Sequence, residues 1–259
     1  MRLTKRLAIA AAMTVFGALS NTALAADKIV IGTEGAYPPF NNLQADGTLT
    51  GFDIDIAKAL CEEMKAECTF VTQDWDGIIP ALTSKKIDMI VGSMSITEER
   101  MKTIDFTDKY YNTPTGIIGP KDQTFDAKPA SLAGKVVGVQ VSTVHADYAK
   151  KHFTEAAEIK EYQTQDEANQ DLAAGRVDAV QADAIALDAF LKSEAGACCD
   201  HKGNVEDDPA VLGLGVGIGV RKEDTALKDK LNAAIKAVRA NGTYDSFSKK
   251  YFDFDIYGG

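Results

Sequence analysis

Positive charge is scarce in this chain. It has 28 lysine and arginine residues against 38 aspartate and glutamate residues, which gives a net charge of −10 at pH 7. A chain this acidic is a poor candidate for binding nucleic acid or an anionic membrane surface, because both are themselves negatively charged. We therefore expect no nucleic-acid partner, and the charge balance is compatible with a cationic ligand.

Long apolar runs are missing after the N-terminal segment. Residues 1–25 combine a basic start, an apolar stretch over Leu7–Leu19 and a small-residue ending at Ala25, which predicts a cleavable signal peptide with cleavage after Ala25. Its removal takes away three basic residues and no acidic ones, so the net charge changes from −10 to −13. No later stretch is long and apolar enough to span a bilayer. We therefore expect an exported, soluble protein.

Histidine spacing that could complete a metal site is also missing, and we expect no metal. The glycine-rich run at 213–219 lacks the lysine and helix start of a phosphate-binding loop, so we expect no nucleotide and no other cofactor.

Only four cysteines are present, and an exported protein meets an oxidising compartment. Cys61 lies near the end of a helical pattern and Cys68 in the strand that follows, so we predict a disulfide between them. Cys198 and Cys199 are adjacent, and neighbouring Cα atoms lie about 3.8 Å apart, which is below the usual disulfide range. A vicinal disulfide and two free thiols are both compatible with this spacing.

Strands and helices alternate in the first ninety or so residues after Ala25. The predicted order is strand Lys28–Thr33, helix from Phe52 to Met64, strand Cys68–Thr72, helix Gly77–Ser84 with Asp76 as N-cap, and strand Ile87–Val91. This order is typical of a parallel sheet covered by helices.

The alternation starts again after an irregular segment at 105–114. The second set is a strand ending at Val139, helix Val144–Phe153, strand Glu158–Glu161, helix Gln165–Ala174, strand Val177–Gln181 and helix Asp183–Lys192. The glycine-interleaved run Gly213–Val220 is predicted as a strand that crosses between the units. Asp224 is predicted to cap the amphipathic helix Ala226–Ala240, and a last helix begins near Tyr244. These terminal helices need a partner surface, so we predict that the chain returns to the first unit.

Ligands of parallel α/β sheets bind at the carboxyl ends of the strands. Three loops at such ends contain Glu34 with Tyr37, Trp75, and the segment Ser93–Arg100, and they should face one crevice. In the last of them, two serine hydroxyls, free backbone N–H groups and one guanidinium meet just before a helix, which suits a small carboxylate. The alternative is a polar loop with a surface arginine.

Several motifs in order along the chain resemble those of the periplasmic polar-amino-acid-binding proteins of ABC importers, particularly the lysine/arginine/ornithine-binding branch. They are Ile31–Phe40 (IGTEGAYPPF), Gly51–Asp55, Asp88–Arg100, Asp105–Thr107, Gly138–Gln140, Gly175–Ala179 and Gly242–Phe252. Each alone is weak, whereas their order and spacing together are specific.

The resemblance implies an α/β, two-lobed periplasmic binding protein fold of type II. Each lobe is expected to be a mainly parallel sheet flanked by helices, and two hinge crossings, near 112–114 and 212–215, join the lobes. The implied division is signal peptide 1–25, lobe 1 at 26–112 and 215–259, and lobe 2 at 113–214.

The resemblance also implies the roles of the residues that hold the common part of an amino acid. Arg100 is expected to bind the α-carboxylate through a two-pronged contact that lysine could not reproduce. Thr143, with Ser142, should add hydroxyl and N–H donors from lobe 2. Asp183 should accept the α-ammonium, together with backbone and hydroxyl groups around Ser93 and Ser95. The alternative role for Asp183 is the N-cap of the helix after it.

The ligand side chain is expected to meet Tyr37 and Trp75, which could sandwich it with a cation–π attraction of roughly 0.5–2 kcal/mol. Trp75 has the alternative of filling the core. Glu34 occupies the place where the family usually has aspartate, and it should pair with a distal guanidinium or ammonium. His145, where the family often has glutamine, either faces the crevice or is a surface residue.

By this resemblance, the expected function is a non-catalytic, monomeric periplasmic receptor for arginine, lysine or ornithine that delivers its ligand to an inner-membrane ABC permease. The alternatives are histidine or an opine such as octopine or nopaline as ligand. A further alternative is a periplasmic cyclohexadienyl dehydratase on the same fold.

Overall fold

The computed structural model describes residues 26–258, so the predicted signal peptide and its cleavage site lie outside the described residues. The strands are β1 (Lys28–Thr33), β2 (Ala36–Tyr37), β3 (Asn41–Leu43), β4 (Leu49–Thr50), β5 (Glu67–Thr72), β6 (Met89–Ile90), β7 (Asp105–Phe106), β8 (Thr115–Pro120), β9 (Val136–Gln140), β10 (Glu158–Tyr162), β11 (Ala179–Asp183), β12 (Cys199–Asn204) and β13 (Gly219–Val220).

Helices separate most of these strands. They are α1 (Phe52–Met64), α2 (Trp75–Thr83), α3 (Glu98–Met101), α4 (Val144–His152), α5 (Gln165–Ala173), α6 (Ala184–Leu191), α7 (Pro209–Leu212), α8 (Thr225–Ala240) and α9 (Thr243–Tyr251), with short 3₁₀ turns at Pro129–Leu132 and Ala195–Cys198. Within residues 26–258, none of the helices has the length and apolar character needed to cross a membrane.

Two five-stranded sheets organise the fold, in the orders β5-β1-β6-β13-β7 and β10-β9-β11-β8-β12. The two-sheet α/β class and its type II arrangement are therefore confirmed. The sheets are mixed: β1 and β9 pair in parallel with both neighbours, whereas β8 and β13 pair antiparallel. β8 and β13 are the first strands after the chain passes from one sheet to the other, so the antiparallel pairs form where the chain enters each sheet.

Helices cover both faces of each sheet. On the first sheet, α1, α8 and α9 share one apolar cluster that includes Phe52, Leu60, Leu231 and Phe252, while α2 packs on the other face. The predicted return of the terminal helices to the first unit is thus confirmed. On the second sheet, α4 covers one face and α5 and α6 cover the other.

Several predicted boundaries and caps were wrong. Helix α2 begins at Trp75 with Asp74 in the N-cap position, not at Gly77 with Asp76, because the Gly77 amide already donates a helical hydrogen bond to the Asp74 carbonyl. Asp224 does precede α8, but its carboxylate is not a helix cap, because it pairs with the Nε of Arg221 at 2.6 Å.

The run Gly213–Val220 is a strand only at its last two residues. Helix α7 precedes this run, and Gly213 and Gly215 have φ angles of 88° and 108°, which interrupt an extended conformation. The predicted strand Ile87–Val91 is likewise reduced to β6.

Two disulfides join the four cysteines. The predicted pair Cys61–Cys68 is confirmed and connects α1 to β5 across seven positions. Cys198 and Cys199 are also paired, so the structure has the vicinal disulfide rather than two free thiols.

Candidate functional site

A cavity of about 470 Å³ lies between the two sheets. Most of the predicted site residues line it: Glu34, Tyr37, Trp75, Ser93, Ser95, Arg100, Thr143, His145 and Asp183. Glu34 directly follows β1, Thr143 lies just beyond β9, and Asp183 ends β11. The cavity therefore lies at the carboxyl ends of strands from both sheets, as the rule for α/β sheets predicts.

The Arg100 side chain reaches the cavity from α3. Thr97 is the N-cap, as predicted, and its hydroxyl accepts the Arg100 backbone N–H at 3.2 Å. The guanidinium donates to the carbonyl oxygens of Ser95 at 3.0 Å and Ser142 at 3.3 Å, and its centre lies 5.5 Å from the centre of the Trp75 ring. Burial lowers its pKa to about 10, so it remains a cation at neutral pH. It is thus held in place beside the cavity, with further N–H donors of its five available.

Ser142 takes part through its backbone rather than its hydroxyl. It has a φ of 60°, in the left-handed region, and it is exposed and does not line the cavity. Its carbonyl oxygen accepts from the Trp75 Nε1 at 3.0 Å as well as from Arg100. The expectation of a hydroxyl donor therefore differs from the structure, because the turn points the carbonyl, not the side chain, toward the first sheet.

Ser93 is held by a buried network that the sequence analysis missed. Its hydroxyl donates to Asp53 at 3.1 Å and accepts from Tyr111 at 2.7 Å. Asp53 is fully buried and also accepts from Asn41 and Tyr110. Burial raises the pKa of Asp53 despite these donors. Both hydrogen-bonding roles of the Ser93 hydroxyl are therefore used within the protein, and the residue, with a φ of 56°, lines the cavity.

Trp75 satisfies both of its alternative roles. It is 9% exposed and packs in a cluster with Ile78 and Met94, yet its ring lines the cavity and its N–H reaches the second sheet. Tyr37 is also buried; it stacks on Phe40 and its hydroxyl accepts the Asp183 backbone N–H at 3.1 Å. The two aromatic residues thus belong to the core and the cavity wall at once.

Asp183 likewise combines two roles. Its Oδ1 caps α6, accepting from the N–H groups of Ile185 at 2.8 Å and Ala186 at 3.3 Å, and its Oδ2 accepts from the Thr113 hydroxyl. Burial nevertheless raises the pKa of Asp183 to about 6. The capping alternative is therefore correct, and it coexists with a position on the cavity wall.

Glu34 contacts the second-sheet unit through a hydrogen bond. The Nε2 of Gln140 donates to its carboxylate at 2.6 Å. Burial raises the pKa of Glu34 to about 7, the Gln140 hydrogen bond opposes this rise, and the charge of Asp74 adds to it. A cation that enters the cavity would lower the pKa of this carboxyl group and favour its ionised form.

Thr143 and His145 lie at the start of α4. The Thr143 hydroxyl caps the helix by accepting the Ala146 N–H at 3.1 Å. The Nδ1 of His145 lies 3.1 Å from the Thr115 hydroxyl. Burial, and then the nearby charge of Arg100, lower the pKa of His145 to about 3, so the ring is neutral. The alternative of a surface histidine is wrong, because this side chain lines the cavity.

Gln140 is the cavity residue that the sequence analysis should have found. It is the last residue of β9 and only 2% exposed, and it lines the cavity. The signal is the carboxyl-end rule for α/β sheets, because Gln140 ends both β9 and the motif Gly138–Gln140. Thr113, in the segment between the sheets, was also missed, and no local signal distinguishes it.

The bacterial extracellular solute-binding proteins, family 3, match residues 29–254. An L-arginine-binding protein of Pseudomonas aeruginosa is 49% identical over 98% of this chain and 99% of its own length. A histidine-binding periplasmic protein of Salmonella typhimurium is 42% identical over 98% of this chain and 100% of its own length.

Among solved structures, an ancestral arginine-binding protein bound to arginine superposes with a TM-score of 0.81. It is 37% identical, and the match covers 87% of this chain and 98% of that one. The match of the family over nearly the whole of the described chain, the identity to curated relatives and the shared two-sheet fold agree with each other. The chain belongs to the bacterial extracellular solute-binding proteins, family 3.

Proposed function

We propose that this protein captures a basic L-amino acid, arginine foremost, in the cavity between its two sheets. The observation that supports this most is the set of charges on the cavity wall. Two carboxylates, Glu34 and Asp183, accompany the cation Arg100, while Lys109 and Asp207 balance each other. Zwitterionic arginine has two positive groups and one negative group, so it complements this set. A neutral amino acid would leave one buried carboxylate without a cationic partner, so that carboxylate would have to take up a proton or remain as an uncompensated charge.

Each group of the ligand has a counterpart under this proposal. Arg100 binds the α-carboxylate with the N–H donors that Ser95 and Ser142 do not use. Asp183 accepts the α-ammonium, and Glu34 accepts the distal cation. Thr143 and the backbone around Ser93 and Ser95 add hydrogen bonds to the common part of the amino acid.

Arginine is placed before lysine and ornithine for two reasons. The P. aeruginosa relative is an L-arginine-binding protein, and the superposed ancestral structure is bound to arginine. In addition, the aromatic faces of Tyr37 and Trp75 suit a guanidinium, which is planar, weakly hydrated and able to stack.

Ligand capture is proposed to close two lobes about hinges. Lobe 1 comprises 26–112 and 215–259, lobe 2 comprises 113–214, and the hinges lie near 112–114 and 212–215. Hydrogen bonds from Gln140 to Glu34, from Trp75 to Ser142 and from the Asp183 N–H to Tyr37 join the two units that are built on these sheets. These bonds support a closed arrangement, and hinge motion between domains is a common route to it.

The cellular role is proposed from the family. A signal peptide cleaved after Ala25 would send the chain to the periplasm, where it would act as a monomer without catalysis, independently of nucleic acid. It would pass its ligand to an inner-membrane ABC permease. Histidine is the second candidate ligand, because a 42% identical relative is a histidine-binding protein.

Isothermal titration calorimetry against arginine, lysine, ornithine, histidine, glutamine, octopine and nopaline tests the proposal. Arginine should bind most tightly, with glutamine weaker by at least about tenfold, because a cation in the cavity gains a charged hydrogen bond to Glu34. Tightest binding of glutamine would contradict the proposal. Assays of prephenate and arogenate should show no turnover.

A further inference from the structure

Gln140 occupies a central place in the contact between the two sheets. Its side chain extends from the end of β9, is almost fully buried, and donates from Nε2 to two acceptors. These are the Glu34 carboxylate at 2.6 Å and the backbone carbonyl of Gln163 at 3.1 Å. The first acceptor belongs to the opposite side of the cavity and the second to the loop after β10.

These two partners determine which way the amide of Gln140 points. A carboxylate and a carbonyl both accept hydrogen bonds, so only the NH₂ end of the amide can satisfy them. The Oε1 of Gln140 is therefore turned away from both. Gln140 lines the cavity, and its Oε1 is the polar atom of the side chain that these two hydrogen bonds do not use.

Two acceptor atoms therefore remain without a partner among the described residues, on two neighbouring side chains that line the cavity. Within residues 26–258, no hydrogen bond involves the Oε1 of Gln140 or the Oε2 of Glu34, and neither atom is among the fully enclosed unpaired ones. We call Glu34 and Gln140 the acceptor pair. One member contributes a charge and the other contributes an acceptor without a second charge, so the pair avoids the repulsion that two adjacent carboxylates would suffer.

We propose that Gln140 is a specificity-determining residue, and that the acceptor pair selects a guanidinium over a primary ammonium at the distal end of the ligand. This inference rests on the proposed function, since it assigns the choice among basic amino acids to one side chain. A guanidinium presents several N–H donors in a rigid plane, so it can bond two neighbouring acceptors at once. The ammonium of ornithine has three N–H donors but no planar fork, so we expect Glu34 to be its main partner.

The pair exists only when the sheets are together. Glu34 is attached to the first sheet and Gln140 to the second, and the hydrogen bond between them joins the two. A ligand that bonds both members therefore favours the closed arrangement more than a ligand that bonds only Glu34. Selection and closure are linked through the same two side chains.

The test compares arginine and ornithine affinities, by calorimetry, in the wild type and in Gln140→Met, which keeps the length of the side chain and removes its amide. The wild type should prefer arginine by about tenfold or more, the usual effect of a hydrogen bond to a charged group. Gln140→Met should lose most of that preference by weakening arginine, while ornithine changes by less than about threefold. Gln140→Asn, which keeps the amide but shortens it, should reduce the preference in the same direction.

Gln165→Met is the matched control. Gln165 is also a buried glutamine of the second-sheet unit, but its amide donates to Asn169 and it does not line the cavity. This variant should keep the wild-type preference, and thermal unfolding should show that all variants are folded.

The outcomes separate the two proposals. If the wild type fails to bind arginine, the proposed function is overturned and this inference with it. If the wild type prefers arginine and folded Gln140→Met and Gln140→Asn keep that preference, only the role of Gln140 is overturned. Equal weakening of both ligands would also overturn it, because Gln140 would then act on closure without selecting the ligand.

Discussion

The indole Nε1 of Trp75 donates a hydrogen bond of 3.0 Å to the backbone carbonyl oxygen of Ser142. This bond connects α2, which packs on the first sheet, to the turn that follows β9 in the second sheet. Arg100 donates to the same oxygen from α3 at 3.3 Å. The left-handed backbone of Ser142 directs one acceptor toward two donors from separate elements. The Ser142 carbonyl oxygen is thus a shared acceptor that links α2 and α3 to the second-sheet unit.

Trp75 is the only tryptophan of the chain, so its fluorescence should report closure. Adding saturating arginine should shift its emission, because water is excluded from around the ring when the sheets close. Calorimetry on the same sample gives the control for binding. Unchanged emission while calorimetry detects binding would contradict closure around Trp75.

Replacing Trp75 with Phe removes the N–H donor and keeps an aromatic ring. The loss of one hydrogen bond, about 1 kcal/mol, should weaken arginine binding by roughly fivefold, as measured by calorimetry. Tyr148→Phe is a suitable control, since the Tyr148 hydroxyl bonds the Glu206 carbonyl within the second-sheet unit and does not line the cavity. Equal effects of the two variants would show that the Trp75 bond does not contribute to ligand capture.

Arg100→Lys should weaken arginine binding by about a hundredfold or more, because lysine cannot keep the two carbonyl bonds and also bind a carboxylate through a planar fork. The free energy of unfolding should fall by no more than about 2 kcal/mol, the contribution of the two carbonyl hydrogen bonds, since Arg100 is not part of an apolar cluster. Arg176→Lys is the control: its guanidinium pairs with Asp171 on the exposed surface. Retained affinity in Arg100→Lys would exclude the two-pronged contact.

The main elements of the fold could be predicted from the sequence, because they depend on the spacing of apolar residues and on the order of the elements along the chain. β1 and α1 were predicted at their observed starts, since a short apolar run and a helical apolar stripe are local patterns. The cavity residues of the first unit, such as Glu34 and Ser93, followed from the general rule for α/β sheets, whereas Thr143 and Asp183 were expected from the family resemblance. Those side chains are placed by topology, and topology follows from the order of the elements.

The remaining features depend on contacts between distant parts of the chain. Ser93 and Ser142 have positive φ angles, and nothing about serine signals this conformation. The Asp53 network joins residues up to 57 positions apart, and the Gln140–Glu34 bond spans 106 positions. The start of α2 was wrong for a related reason: Trp75 anchors the first turn through its burial in a cluster, whereas capping propensity alone favoured Asp76.

Arginine affinity should rise with pH and level off above neutrality. Burial gives Glu34 a pKa of about 7 and Asp183 a pKa of about 6, and a bound cation stabilises the ionised form of each. Binding therefore releases protons below these values and is weakened by acid. Arg100, with a pKa of about 10, stays cationic over this window, and His145, with a pKa of about 3, stays neutral. The charge of Asp74 beside Glu34 helps to raise the pKa of Glu34.

Calorimetry from about pH 5 to about pH 8.5, in two buffers with different ionisation enthalpies, measures both the affinity and the protons released. Glu34→Gln should remove the step near neutrality, leave the Asp183 step, and weaken arginine far more than glutamine. An affinity for arginine that is constant over this range would contradict the assignment of Glu34 and Asp183 to the ligand cations.

Asp183→Asn separates the two roles of this residue. Asparagine is as good an N-cap as aspartate, so the side-chain oxygen that accepts from Ile185 and Ala186 is retained, and the free energy of unfolding should change by less than about 1 kcal/mol. The charge that faces the α-ammonium is lost, however, so arginine should bind at least about a hundredfold more weakly. Asp183→Ala should show the same loss of binding and an additional fall in thermal stability, because it removes the cap as well. If Asp183→Asn instead binds arginine normally and only Asp183→Ala is impaired, the residue acts through α6 alone, and the ammonium must be bound elsewhere in the cavity.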